Sequence, residues 1–457
     1  MVVDLEEMCA IIPASTYEEN ITEQANNFTA FISQIKDYWT RFRRWLGNPA
    51  LFYLLVTLPS GILMIAFDKR RSWPDYKDHW HRVLQIVSGH LLAQPNPDGS
   101  GGYGGLDSNG VFQVFNNTAI NSPFVYFPGV LGCGHQRLAA LFTLIICALT
   151  IAIGIRISGA YCPAFLGIGL LPIVFTSICW PTADAVTNAF SIVFVAYVVY
   201  LLQQAEPLKP RSLAVLSCMS ILLGFIKITC AVLVLLVWLL PLSRKGKDEA
   251  KTLWWVALLS TACAICSSLI WMSLTSQIPP SAVIDHPGFE LAKKNILQHP
   301  FLMIQSLVVS FIQPINTTGD GHDIERNIQL FTGIGPDALL PAGVMVPVLI
   351  VCCLLIIKGC AGMHHGGRTG LAITMLIVLA FFALTGAGLE SSWGSNSLGK
   401  YIGGLQSRYY IPIYAVLVLL MPKVGLRFDN PKVVKNVVVI FVTWSYVGML
   451  LSHCLSF

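Results

Sequence analysis

The sequence predicts an all-α, polytopic membrane protein of about eleven transmembrane helices, on the strength of its composition, the spread of its apolar stretches and the placement of its charges. Hydrophobic residues make up 54% of the 457 residues and charged residues only 12%, about half the charged share of a soluble chain. The mean hydropathy is +0.65. Apolar stretches recur from Leu51 to Leu451 with only short polar intervals, so one membrane domain over 49–457 is simpler than a set of soluble ones, and a soluble enzyme is excluded. The formal charge of +5 falls in short clusters beside apolar segments, which sets membrane orientation rather than nucleic-acid binding.

The first element is read from residues 1–48. Ile21, Ala25, Phe28, Ile32, Ile35, Trp39 and Phe42 recur at three- and four-residue steps after a Thr16-x-x-Glu19 capping box, the pattern of an amphipathic helix. Lys36, Arg41, Arg43 and Arg44 in its second half suit the anionic cytoplasmic membrane surface; a partner-binding coiled coil is the alternative. Asp4, Glu6 and Glu7 stand where a secretory signal would carry basic residues, so this stretch is expected in the mature protein.

The expected spans are 51–67, 138–155, 164–180, 186–202, 213–226, 228–242, 253–272, 340–357, 371–389, 410–421 and 437–451. Several fall short of the ~20 residues of a perpendicular helix, and short or Pro/Gly-interrupted spans usually line a cavity inside the protein. The segment 299–313, bounded by Pro300 and Pro314, is read as a helix on the outer surface. Most of the thirteen cysteines lie inside apolar segments, where a thiol acts as a small hydrophobe. Cys263 and Cys266 share a small-residue helix face, and no disulfide framework is readable.

Basic clusters give the orientation. Arg244, Lys245, Lys247 and Lys251, then Lys358 with Arg368, then Lys423, Arg427, Lys432 and Lys435 fall on one side, which is therefore cytoplasmic. The amino terminus is then inside, and the loops 68–137, 273–339 and 390–409 face outward. Lys69, Arg70 and Arg71 are the exception to this count.

The first outer loop is much longer than a connector needs, which points to function. A helix over 75–92 would place Asp75, His79, Arg82 and Ile86 on one face and Trp80, Val83, Leu84, Val87 and Leu91 on an adjoining apolar one. Such a helix would lie on the membrane and present acid, imidazole and guanidinium to a cavity mouth, or would simply be a solvated interfacial helix. No cofactor is required. A divalent cation is the one candidate, on His79, His81, Asp75 and Asp78, yet His-x-His sets two rings about 200° apart on a helix, so both cannot hold one ion without a break. The glycine-rich stretch 97–105 lacks the ending of a phosphate loop and reads as a flexible lid or as disorder. At other outer helix ends stand Asp184 and Asn188 after Trp180-Pro181, Lys227 between two short apolar segments, and Arg408 before Tyr409 and Tyr410. Charges at membrane depth usually face a cavity or a partner, although an ordinary water-exposed helix end also accounts for Asp184 and Lys227. Guanidinium suits a phosphate at the membrane surface.

Taken in order, Pro74-Asp75-x-x-x-His79-x-x-Arg82, Asn121-Ser122-Pro123-Phe124-Val125-Tyr126-Phe127-Pro128, Asp184-Ala185-Val186-Thr187-Asn188, Lys227, Leu297-Gln298-His299-Pro300 and Gln406-Ser407-Arg408-Tyr409-Tyr410-Ile411-Pro412 carry a resemblance. Over roughly residues 50–455 the chain resembles bacterial multi-pass membrane proteins of a domain-of-unknown-function family allied to the GT-C glycosyltransferases. The resemblance implies a GT-C-like membrane domain and an inverting transferase. Its donor would be a polyprenyl-phosphate-linked sugar and its acceptor a cell-envelope glycan, lipid or protein on the outer side of the cell membrane. It implies Asp75 as the catalytic base, with Asp78 as the acid that stands in where the pattern departs at Tyr76. Positive charge for the donor phosphate would come from Arg408, Arg82 and Lys227 with His79, and Tyr126, Asp184, Asn188 and Tyr409 would line the substrate cavity. A transporter or flippase of a lipid-linked glycan needs the same basic cavity, and a catalytically silent relative would retain the fold.

The orientation predicts that cysteines introduced by Gly102→Cys and Ser392→Cys add labelling by a membrane-impermeant thiol reagent applied from outside, and that Gly246→Cys does not. External labelling at position 246 would invert the arrangement.

Overall fold

The computed structural model describes residues 47–67, 76–244 apart from 100, 101 and 108, 247–279, 286–312, 342–360, 366–393, 398–423 apart from 403, 404 and 406, and 431–455. The expected amino-terminal helix and Asp75 lie outside the described residues. The chain divides into two compact units, Met1–Phe52 and Tyr53–Phe457, and the second holds the helical body.

Helices dominate. In chain order they are α1 (Pro49–Phe67), α2 (Tyr76–Val87), α3 (Asn116–Ala119), α4 (Phe127–Val130), α5 (Gln136–Ile157), α6 (Cys162–Gly169), α7 (Pro172–Ser177), α8 (Ala183–Gln203), α9 (Pro210–Ile226), α10 (Ile228–Ala231), α11 (Leu239–Ser243), α12 (Lys247–Leu274), α13 (His286–Gln298), α14 (Pro300–Ile312), α15 (Ala342–Gly359), α16 (Gly367–Trp393), α17 (Ile411–Leu420) and α18 (Pro431–Leu455). Among the described residues five helices, α1, α5, α8, α12 and α16, hold a window long and apolar enough to cross a membrane. Shorter apolar helices fall at 210–226, 228–243, 300–310, 346–359, 408–420 and 435–451. The segment 164–180, expected as one span, is two short helices, α6 and α7: Pro172 opens α7, and the residue before a proline is pushed out of helical geometry. Leu171 has φ −58 and ψ 130 accordingly.

α8 is the central helix. It packs against α5, α9 and α17, and most of its side chains are buried. Its apolar surface is continuous around the helix, as a helix surrounded by others requires. At its carboxyl end Arg244 donates to the carbonyl oxygens of Leu201, Ala205 and Glu206 and pairs with Glu249 at 3.9 Å. Arg244 and the acid Asp184 thus stand at opposite ends of a 21-residue helix.

The first long loop corrects two expectations. It is not purely helical: β1 (Gln94–Pro95), β2 (Tyr103–Leu106) and β3 (Phe112–Val114) form an antiparallel sheet in the order β1-β2-β3. The glycine-rich stretch read as a lid supplies β2. A side chain at Gly104 would lie 1.8 Å from the Gln113 carbonyl oxygen, and one at Gly105 would meet the Gln85 side chain at 2.7 Å, so glycine is what lets this strand press between its neighbour and α2. In addition, α2 ends at Val87, ahead of Gly89 at φ 90. It turns His79 and Arg82 into the protein and leaves Val87 exposed.

Arg82 holds this loop together. Its side chain is fully buried; it donates to Gln85 Oε1, to the Leu91 carbonyl at 2.7 Å and to the Asn121 carbonyl at 3.2 Å. Gln85 in turn donates to the carbonyls of Leu92 and Gly104. Burial pushes the Arg82 guanidinium down to about 10, still charged at neutral pH. Trp271 at the end of α12 donates to the Ile120 carbonyl at 2.7 Å, which ties the loop to the helical body. Arg82→Met should remove at least two charge-assisted bonds of about 1.5–3 kcal/mol each. Limited proteolysis should then cut the sheet region 94–114 much faster than in the unsubstituted protein, and equal protection would move the hub elsewhere.

Candidate functional site

The site assembles around the amino-terminal end of α8. Asp184 lies in the first turn of that helix, where the unpaired amide ends favour a negative charge. It is nonetheless buried at 7% exposure, and a buried carboxylate requires cations or donors. Arg408 Nε meets Asp184 Oδ2 at 2.7 Å, and Lys227 Nζ stands 3.9 Å from Asp184 Oδ1.

Each cation is delivered by a break in regular structure. Lys227 is the single extended residue, φ −161 and ψ 133, between the end of α9 and the start of α10. Arg408 lies in a 3-10 turn, Ser407–Tyr410, that leads into α17 and packs against α7. Tyr409 joins the two: Lys227 Nζ is 4.7 Å and the Arg408 guanidinium 5.2 Å from its ring centre, both within cation–π range. Two cations thus meet the two oxygens of one carboxylate. The cations are not equivalent. The Arg408 side chain is 5% exposed and closely paired, whereas that of Lys227 is 36% exposed and held at longer range.

The long loop covers this end of α8. The Tyr76 ring meets Trp180 edge-on at 5.4 Å, four residues ahead of Asp184. The residue at the family departure is thus a buried aromatic anchor. Phe124 meets Phe190 of α8 edge-on at 6.2 Å. His79 Nδ1 and the Tyr126 hydroxyl share a 2.7 Å hydrogen bond, and Asn121 Nδ2 donates to the same hydroxyl at 3.3 Å. Burial pushes the Tyr126 phenol well above its ordinary range, so it stays protonated and can donate.

The structure therefore brings together Asp184, Lys227, Arg408, Tyr409, His79 and Tyr126. Arg82 is placed differently from the expectation of a phosphate ligand: its bonds go to loop carbonyls, which makes it a positioning residue. Asn188, expected to line a cavity, is buried one turn along α8 and donates to Ser177 Oγ at 3.1 Å, holding α7 to α8. Asp78 is half-buried in the first turn of α2, and its carbonyl accepts from Thr118 Oγ1. His81 turns away from His79 and stacks obliquely with Phe115 at 6.5 Å. Burial lowers the His81 pKa, with Asp78 and Asp107 opposing that shift. Among the described residues no three His, Cys, Asp or Glu side chains gather as a metal site. Sequence reasoning missed Gln85, Trp180 and Trp271. Gln85, a polar residue three positions after Arg82 on a helix that buries both, was the one readable signal.

A helical membrane protein with an ion cluster at one end of its central helix is the class these features define. The model of a family described as predicted membrane protein, DUF2142, matches residues 107–418. The chain belongs to this family of predicted membrane proteins. No curated protein and no solved structure matches it. Tyr126, Asp184, Lys227, Arg408 and Tyr409 fall inside the matched region, and α2 with His79 and Arg82 precedes it.

The asymmetry of the two cations gives a test by thermal unfolding in detergent. Asp184→Asn removes the 2.7 Å ion pair from the buried Arg408 and should cost about 3–5 kcal/mol. Lys227→Gln, at a half-exposed position, should cost less than about 1 kcal/mol. Equal losses would show that both cations are structural.

Proposed function

We propose that the protein is a membrane glycosyltransferase that moves a sugar from a polyprenyl-phosphate donor to a cell-envelope glycan, lipid or protein acceptor on the outer side of the membrane. Its transmembrane domain would be GT-C-like, with about eleven passes. One observation carries the proposal: the cations Lys227 and Arg408 gather on Asp184 at a helix end, under a loop whose first helix begins directly after Asp75. A lipid-phosphate donor requires positive charge where a head group meets the membrane, and transfer requires a base within hydrogen-bond reach of the acceptor hydroxyl.

In this mechanism Asp75 takes the proton of the acceptor hydroxyl as its oxygen attacks the anomeric carbon. The bond from that carbon to the phosphate oxygen breaks with its electron pair, and the lipid phosphate leaves with inversion at the sugar. Lys227, the more exposed cation, meets the departing phosphate. Arg408, fixed by Asp184, holds Tyr409 and the local field in place. His79, held by Tyr126, adds a donor beside them. Asp78 is the alternative base. A Lys-centred break between two apolar helices is also a feature of transporters, whose discontinuous helices meet substrate, so a flippase of the same lipid-linked sugar is the second reading. A silent relative is the third, since Tyr76 occupies the place of an acid.

The test offers the purified protein in lipid a panel of polyprenyl-phosphate sugars and follows product by mass spectrometry. Asp75→Asn should lower turnover by a factor on the order of 10² to 10⁴ with donor binding nearly unchanged. Lys227→Gln should weaken donor binding by about tenfold, the loss of one charge-assisted bond. If Asp78→Asn abolishes transfer and Asp75→Asn does not, the base is Asp78. If no transfer is detected with any donor while Lys227→Gln still weakens donor binding, the transporter reading replaces the transferase.

A further inference from the structure

Helix α14 buries two serines beside Met303 and turns large apolar residues outward together with Gln305. Its buried positions include Ser306 and Ser310, at no more than 1% exposure, while Phe301, Ile304 and Val308 are exposed at 83%, 55% and 48%. The three outward residues stand at steps of three and four, one stripe along the helix. A helix facing water places its small hydroxyls outward and its large apolar residues inward. The opposite arrangement is that of membrane helices, where small polar residues bond to neighbouring chain and apolar ones meet lipid tails. Both serines are used in that way: Ser306 Oγ accepts from the Gly399 amide at 2.7 Å, and Ser310 Oγ accepts from the Ile402 amide at 2.9 Å.

The surroundings identify what covers the stripe. α14 packs against α16, a candidate span whose Met375, Leu376, Leu379 and Leu384 are also exposed. The apolar surface of α14 thus continues that of a membrane-crossing helix. The helix before it changes character: α13 exposes Glu290 and Lys293, paired at 2.6 Å, along with Lys294. The exposed charges end at Lys294, and the exposed apolar surface, which opens with Leu297 at 81%, continues into α14. Thirteen residues rising about 1.5 Å each reach about 20 Å, short of the ~30 Å hydrocarbon core.

We propose that α14 is immersed in the bilayer as a half-span, with lipid acyl chains against Phe301, Ile304 and Val308, and α13 at the head-group level. This differs from a helix lying on the outer surface, and a half-span requires no inversion of the later basic clusters. Through Ser306 and Ser310 this lipid-facing helix also anchors residues 399–402, a few positions ahead of Arg408. Lipid contact at α14 is independent of the transferase reading.

The experiment uses the unsubstituted protein reconstituted in liposomes that contain a phospholipid with an acyl-chain diazirine. After irradiation, adducts are mapped by peptide mass spectrometry, and a parallel sample is oxidised by hydroxyl radicals from the aqueous phase. The expected result is acyl-chain adducts on Phe301, Ile304 or Val308 at yields comparable with those on Leu376 and Leu379, with Phe301 unoxidised. Adducts on Leu376 and Leu379 together with none on α14, and oxidation of Phe301, would overturn the proposal and leave α14 in water.

Discussion

A carboxylate buried at the start of the central helix sets the terms for everything around it. Asp184 can remain ionised there only because the first turn of α8 offers its amides and because two cations are brought to its two oxygens. Meeting that requirement shapes two distant parts of the chain. α9 and α10 break at Lys227, a 3-10 turn carries Arg408 against α7, and Tyr409 lies within reach of both cations. The same end of α8 is closed by Tyr76 on Trp180 and Phe124 on Phe190.

The long loop is built on a second buried charge with a different solution. Arg82 is held by the carbonyl oxygens of Leu91 and Asn121 and by the side-chain oxygen of Gln85. Because Asn121 also donates to Tyr126, which bonds His79, the hub that folds the loop is linked by three hydrogen bonds to the imidazole of His79. Structure and candidate chemistry therefore share one hydrogen-bond network, and Arg82, one of the cations expected at a donor phosphate, is its fixed centre.

Much of the helical pattern was legible. Apolar runs at 51–67, 138–155, 186–202, 253–272 and 371–389 correspond to α1, α5, α8, α12 and α16, since length and hydropathy are properties of the run itself. The break at Lys227 was legible for the same reason, a charge between two apolar segments. The sheet was not. Its glycines read as a lid because period-two patterning requires side chains, and at Gly104 and Gly105 the absence of a side chain is what lets the strand fit. The shared face of His79 and Arg82 was read from helical spacing, but which way that face turned depended on Gln85, Leu91 and Asn121.

Sequence by itself determined that the chain is a membrane protein, where its long apolar helices fall, and which acids and bases stand at their ends. Those follow from local composition, because the cost of placing a charge or a polar backbone in lipid acts residue by residue. Only the tertiary structure decided that Asp184, Lys227 and Arg408, separated by 43 and 224 positions from the acid, form one cluster, and that Arg82 does not join it. Pairing between distant residues is set by how helices pack and where they break, and neither the spacing nor the type of a residue records which partner will be brought to it.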